Sequence, residues 1–279
     1  MISIITAIYN QLGMNKLFYE YLLKYTKYPF ELIIVDNKSD DGSCEFFESV
    51  GARIIRNNAN YSYPFCQNRG IEIAKYDYLV FLNNDVLVSK NWDERAIEIM
   101  TKHGLDIVSC SSPEKIESKE KTHSHFKKWK YIKNPIVFLF GNHSWVLKLT
   151  HWLMYGNWEK WTEKRYEKFK DSLVLGIAGN NVIMTRRGLE KIGTWDERVQ
   201  FADFDIFLKS RKRNIEIGDM KPVQVLPGVY VHHFNRLTFK KKFPPFVDSD
   251  NLITIEEKWG TDYANELLEP ANMVVGVKK

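Results

Sequence analysis

Four side chains in this sequence have types and settings that could do chemistry together: Asp36, Asp85, Asp203 and His233. Asp85 lies in Tyr78 to Val88, YLVFLNNDVLV, where an apolar run with the character of a strand buried on both faces meets Asn83, Asn84 and Asp85. A carboxylate beyond the carboxyl end of such a strand, flanked by amides, suits a hard cation carrying phosphate oxygens; an Asx turn accounts for the same three residues. Asp36 ends a second buried run, Glu31 to Val35. There it could accept the imide N–H of a pyrimidine or the N–H of guanine, or simply cap the next helix. Asp203 opens an amphipathic segment, where it could deprotonate a hydroxyl or, with Asp205, complement the helix dipole. His232 and His233 end another strand-like segment, and strand alternation turns only one of them toward any given face.

These residues need a frame that brings strand ends to one edge. Ile2 to Ile8 reads as a first strand, Asn10 to Gly13 as a turn, and Leu17, Phe18, Tyr21, Leu22 and Tyr25 as one helix face. The unit repeats with the strand at Glu31 to Val35 and a helix around Cys44 to Val50, then with a short strand at Ala52 to Ile55 and a helix carrying Phe65, Asn68, Ile71 and Ala74. Four strands alternating with helices imply an α/β fold with a doubly wound, mostly parallel, Rossmann-like sheet. A further helix through Trp92, Ala96, Ile99 and Met100 leads to a strand at Asp106 to Cys110.

From Ser111 to Gly176 the alternation stops and Lys, Trp, Tyr and His accumulate, as in HFKKWKYIK and HWLMYGNWEKW. This reads as an irregular or helical insertion over the carboxyl edge of the sheet, where lids and acceptor surfaces lie. Pro135 to Gly156 is its most apolar part, yet Asn142, His143, Lys148 and His151 argue against a membrane span and leave an interfacial or subunit-packing role. Order returns with Leu175 to Met184, a short helix at Arg186 to Ile192, a helix through Phe204, Phe207, Leu208 and Arg211, and a strand from Val223 to Val231 around a Pro227-Gly228 turn. Asn251 to Gly260 reads as a short helix, and the last residues as a loose terminus. The pattern divides the chain into residues 1–110, 111–176 and 177–279.

Composition narrows the classes. The chain has 279 residues, 44% hydrophobic content, and 40 basic against 35 acidic residues, a formal charge of +5 without the Lys/Arg blocks of a nucleic-acid tail. Cys44, Cys66 and Cys110 fit neither a disulfide framework nor a zinc ribbon and read as buried thiols of a cytoplasmic protein. MISIITAIYN lacks the basic flank and cleavage site of a leader and reads as a strand.

Taken in order, SIITAIYNQ, LIIVDNKSDDGS, NYSYPFCQNRGIEIA, DYLVFLNNDV, GNNVIMTRRGLEKIGTWDERVQFADFDIFLKSR, VYVHHFNRLTF and EEKWG resemble the family 2 glycosyltransferases of the GT-A fold, inverting enzymes that move a sugar from a nucleotide diphosphate to an acceptor. The resemblance implies that Ala7, Tyr9 and Asp36 line a nucleoside pocket closed by Asn60 and Ser62. It implies that Asn84 and Asp85 form the metal and diphosphate motif with Asp85 as direct ligand, that His233 is a second ligand, and that Asp203 is the base. Thr238, where the family has a small hydroxyl residue, favours His233 over His232. The implied cofactor is Mn²⁺ or Mg²⁺; the partners are a UDP-, dTDP- or GDP-linked sugar and a glycan or lipid-linked acceptor. Peripheral membrane contact and a homodimer are left open, and nucleic acid is not expected. Two departures stand out: Asn83 and Asn84 precede Asp85 where an earlier acid is common, and Ala202 replaces the acid before Asp203. They motivate a rival reading as a non-catalytic nucleotide- or glycan-binding module. A nucleotidyltransferase would need a Gly-rich basic loop after the first strand, which the sequence lacks.

Overall fold

In the computed structural model, which describes residues 1–199, 201–235, 237 and 244–273, the first half is built of repeating strand–helix units. These are β1 (Ile2–Ile8), α1 (Leu12–Tyr25), β2 (Phe30–Asp36), α2 (Ser43–Ser49), β3 (Arg53–Arg56), α3 (Tyr63–Ile73) and β4 (Tyr78–Leu82). β1, β2 and β4 are largely apolar runs closed by polar turn formers, whereas β3 is the short edge strand Arg-Ile-Ile-Arg. After β1, Asn10 and Gln11 adopt left-handed φ values of 56° and 73°, which breaks the strand and turns the chain into α1. The two loops are tied together: Asp40 N–H donates to Asn10 Oδ1 at 2.8 Å and Leu12 N–H to Asp41 Oδ2 at 2.9 Å. A two-residue strand, β5 (Val86–Leu87), precedes α4 (Trp92–His103) and β6 (Ile107–Ser111). Gly104, at φ 61°, ends α4 by donating its N–H to the carbonyls of Met100 and Thr101.

The stretch expected to be irregular or helical holds three helices: α5 (Lys119–Phe140), α6 (Ser144–Tyr155) and α7 (Trp158–Phe169). Ser118 caps α5 and Asn157 caps α7, each side chain accepting a first-turn N–H. The chain then re-enters the sheet as β7 (Val174–Leu175) and β8 (Asn181–Thr185), followed by α8 (Arg186–Ile192), α9 (Ala202–Glu216), β9 (Gln224–Tyr230) and β10 (His232–His233). Two further helices, α10 (Ile255–Trp259) and α11 (Thr261–Leu268), close the described chain. Ala264, Leu267 and Leu268 bury one face of α11; of the last residues, where a loose terminus is expected, 274–279 lie outside the described residues.

One eight-stranded sheet has the order β3-β2-β1-β4-β8-β6-β9-β7. β1 to β4 are parallel, whereas β8 is antiparallel to both β4 and β6, and β7 to β9. The Pro227-Gly228 feature is a bulge within β9 rather than a turn: Cys110 pairs with Leu226, but Ser111 pairs with Tyr230. Ser111 Oγ fills the gap by donating toward the carbonyls of Pro227 and Val229. One sheet face buries Phe18, Phe47, Trp92, Trp129, Leu147 and Trp158 of α1, α2 and α4 to α7 against Tyr230 of β9; the other buries Phe81, Trp195, Phe207 and Leu267 with α3 and α8 to α11. Ligand space is left at the carboxyl ends of β1 and β4, where the strand order reverses.

Candidate active site

β10 runs antiparallel to β5, with His233 opposite Val86 and His232 opposite Leu87. That register carries His233 to Asp85, whose Oδ1 lies 2.9 Å from His233 Nε2. The other ring nitrogen, Nδ1, is 2.9 Å from Glu114 Oε1. His232, one residue earlier, points the other way into the core, where its Nδ1 meets Tyr155 OH at 2.8 Å. Burial alone would push the His233 imidazole down, but Asp85 and Glu114 outweigh it and hold the ring up to about 10. His232 has no such partner, and burial pushes it well below the usual range. Thr238 lies outside the described residues.

Glu114 was not singled out from the sequence. It follows the end of β6 in Ser112-Pro113-Glu114, so a strand-end carboxylate was its only signal. Asn235 Nδ2 donates to its Oε1 at 2.7 Å, and Ser112 Oγ and Asn180 Nδ2 donate to its Oε2 at 3.0 and 3.2 Å. Burial opposes its ionisation, but His233 and these donors hold the carboxyl below the usual carboxylate range.

The residues fit a divalent cation. Two ligands in adjacent octahedral positions, each about 2.1 Å from the ion, are about 3 Å apart, matching the 2.9 Å between Asp85 and His233. A carboxylate on the far nitrogen, as Glu114 provides, is the usual support for a metal-binding imidazole. Among the described residues no three His, Cys, Asp or Glu side chains cluster as a complete ligand set, so phosphate oxygens and water would fill most of the sphere. Asn84 is tied elsewhere, its Nδ2 donating to Asn15 Oδ1 at 2.7 Å. Asn83 instead faces the cleft, its backbone N–H bonded to Asn180 O at 3.0 Å.

His233, Glu114 and Asn235 line a cleft of about 1200 Å³ that is also lined by Phe201, Asp203 and Phe204. Asp203 opens α9. Burial raises its carboxyl above the usual range, partly offset by the N–H groups of Phe204 and Asp203 itself. It lies against Gly179, where any Cβ would come within 2.7 Å of Asp203 Cβ and closer still to its carboxylate. Asp205, two residues on, faces inward and is buried, accepting from Trp259 Nε1 at 2.8 Å and pairing with Lys258 at 2.6 Å and Lys209 at 3.3 Å.

A second cleft of about 460 Å³ is lined by Ala7, Tyr9, Asn37, Asn60, Tyr61 and Pro244 to Phe246, among others. It brings Ala7, Tyr9 and Asn60 together. Asp36 and Ser62 lie beside it with their polar atoms engaged: the Asp36 carboxylate accepts Ser39 N–H at 3.1 Å, while Ser62 Oγ donates to Asp248 at 2.6 Å. Asn60 Nδ2 donates to Pro244 O at 2.8 Å, holding the later segment over the cleft. Tyr63 lines both clefts, and its buried hydroxyl has no hydrogen-bond partner. Nothing in its sequence setting marked it out.

The family model for glycosyl transferase family 2 matches residues 3–193. Chondroitin synthase of Escherichia coli is 26% identical over 187 residues, 62% of this chain and 26% of that protein. The O-antigen biosynthesis protein RfbC of Myxococcus xanthus is 24% identical over 228 residues, 75% of this chain and 16% of that protein. The chain thus spans between a sixth and a third of the length of such relatives. Among solved structures, the mannosyltransferase PcManGT of Pyrobaculum calidifontis with GDP-Man and Mn²⁺ aligns over 100% of this chain and 76% of its own, with TM-score 0.54 and 14% identity. GalNAc-T7 with UDP, GalNAc and Mn²⁺ aligns over 96% and 50%, with TM-score 0.61 and 12% identity. The sheet is that of the GT-A glycosyltransferases, and with the family model covering most of its length, the chain belongs to glycosyl transferase family 2.

Proposed function

We propose that this chain is the transferase unit of an inverting enzyme that moves a sugar from a nucleotide-diphosphate donor to a hydroxyl of a glycan or lipid-linked acceptor in bacterial surface polysaccharide or glycoconjugate synthesis, on the cytoplasmic side. The observation that carries this reading is one shared cleft: His233, paired with Asp85, lines it together with Asp203. The narrower cleft at Ala7, Tyr9 and Asn60 receives the nucleoside, with Asp36 beside it and the loop through Ser62 closing it; the Asn37 amide braces that loop by donating to Asn60 Oδ1 and Tyr61 O. Asp85 and His233 would hold Mn²⁺ or Mg²⁺, which when bound supplies charge neutralisation for the departing diphosphate. Glu114 keeps His233 oriented with Nε2 toward Asp85. Asp203, made more basic by burial, takes the acceptor proton as that oxygen attacks the anomeric carbon from the face opposite the diphosphate. Phe201 and Phe204 flank Asp203 and offer apolar faces to an acceptor sugar. The protein's share of the work is positioning and excluding water.

The test has two parts. Calorimetric titration with UDP, dTDP and GDP, each with and without Mn²⁺, should give metal-dependent binding of one nucleotide. Asp203→Asn should keep that binding and abolish transfer from the corresponding sugar nucleotide. Binding without turnover of any donor by the native chain would favour the non-catalytic module that Asn83 and Ala202 raise.

A further inference from the structure

The outward side of α5 and α6 is not explained by the transfer chemistry. Trp145, Leu149, Trp152 and Leu153 recur at the spacing of one helix face on α6, opposite the buried stripe of Val146, Leu147, Thr150, His151, Met154 and Tyr155. At the turn between the helices, Phe138, Leu139 and Phe140 continue this surface, with Phe140 and Trp145 in ring contact at 5.9 Å. Phe138 is 67% exposed, Leu139 70% and Trp152 61%. A contiguous exposed patch of such side chains marks an interaction surface.

Charge identifies the partner. Between Glu120 and Glu159 the sequence holds six lysines and no acidic residue. Lys133 is turned inward onto the carbonyls of Phe234 and Asn235, and Lys148 pairs with Glu20 at 2.8 Å. Lys127, Lys128 and Tyr131 are exposed on the side of α5 that ends in Phe138 and Leu139. Exposed tryptophans and phenylalanines beside lysines suit a lipid interface, with rings at headgroup depth and ammonium groups among anionic phosphates. A second copy suits the face poorly, because a two-fold contact would bring like-charged lysines together and protein interfaces are depleted in lysine.

We propose that the α5–α6 hairpin docks the protein on an anionic lipid bilayer, lying in the interface rather than crossing it. No helix among the described residues is long and apolar enough to span a membrane. The other side of α5, with Thr122, His123, Phe126 and Lys130, lines the cleft that holds Asp203. A helix is about 10 Å thick, so docking brings that cleft close to the bilayer surface; this last step rests on reading the cleft as the acceptor site.

The test is co-sedimentation of the full chain with phosphatidylcholine vesicles with and without phosphatidylglycerol. Binding should require the anionic lipid and weaken as salt rises. Combining Phe138→Ser, Trp145→Ser and Trp152→Ser should lower partitioning at least about tenfold while leaving the unfolding midpoint unchanged, since these side chains are exposed. Lys127→Glu and Lys128→Glu should each lower it by about fivefold or more. Failure to bind anionic vesicles, or equal binding by the serine variant, overturns the proposal. So does a stable dimer by light scattering that the serine variant dissolves, which assigns the face to a second copy. Neither outcome bears on nucleotide binding, so the transferase reading is tested separately.

Discussion

Replacing Gly179 by alanine tests whether Asp203 is the base without altering the carboxylate itself. The added methyl carbon would stand 2.5 Å from Asp203 Cγ and 2.7 Å from its Cβ, against ordinary contacts of 3.4 Å or more. Side-chain rotation cannot relieve a clash that includes Cβ, so the start of α9 must shift by at least about 0.7 Å unless the glycine loop retreats. The loop is held on both sides: Asn180 O accepts Asn83 N–H, Asn180 Nδ2 donates to Ser112, and Asn181 is bonded to the backbone of Cys110. A misplacement near 1 Å costs about 10²-fold in rate, so Gly179→Ala should lower kcat by about that factor, at a stability cost of about 1–3 kcal/mol. Nucleotide binding should be unchanged, because no residue of this loop lines the nucleoside cleft. The assay is release of nucleoside diphosphate from the donor selected by calorimetry, with urea unfolding as the folding control. Gly179→Ala combined with Asp203→Asn should be no slower than Asp203→Asn alone, since the alanine acts through a carboxylate already removed. A wild-type rate for Gly179→Ala, or full additivity in the pair, would refute the reasoning.

Binding of Mn²⁺ must displace the proton that Asp85 and Glu114 hold on His233, so affinity should rise about tenfold per pH unit from about pH 6 to about pH 8; a flat profile by calorimetry removes His233 from the ligand set. Asn84→Asp would set a carboxylate against Asn15 Oδ1, whose amide nitrogen is committed to Asn10 O and Ser43 Oγ; it should cost about 1–3 kcal/mol in urea unfolding, and a neutral or stabilising effect would contradict the network. Lys258→Ala leaves the buried Asp205 with Lys209 and Trp259, and should destabilise by about 2 kcal/mol, read as a lower Tm with donor binding retained. Burial lowers His125 to about 4 and His151 to about 3. Because the unfolded chain then binds protons first, stability should fall as pH drops from about 6.5 toward 4, by up to about 1.4 kcal/mol per unit for each ring; His151→Phe should flatten the loss, and an unchanged slope in urea titrations would refute it.

The parallel half of the sheet was readable because β1, β2 and β4 are largely apolar runs closed by polar turn formers. The pairing of Asp85 with His233 was half readable: both sit at strand ends, and alternation says that only one of two adjacent histidines can face a given side. Glu114 was not readable, since its position depends on the bulge in β9 and on Asn180 and Asn235 arriving from remote segments. At Asp36 and Ser62 the pattern reaches loops that lie beside the second cleft, but not the hydrogen bonds to Ser39 and Asp248 that occupy their oxygens. The segment from Lys119 to Phe169 was readable only as an irregular or helical insertion; at α6 the period that marks an amphipathic helix is erased because both sides are apolar, His151 and Tyr155 packing inward while Trp145 and Trp152 face out.

The two asparagines before Asp85 take on a different meaning once their contacts are known. Read along the chain, they subtract negative charge from the proposed cation site. In space, Asn84 is a structural donor that locks the loop after β4 to the start of α1, where an acid would face an acceptor. The missing charge returns from the far side of the imidazole, where Glu114 accepts from Asn235, Ser112 and Asn180 and holds His233 toward Asp85. A carboxylate behind a histidine ligand strengthens it without entering the coordination sphere, leaving more positions for the oxygens of a diphosphate. Such a site would bind a cation weakly by itself and more firmly with nucleotide present, which couples metal occupancy to the arrival of the donor.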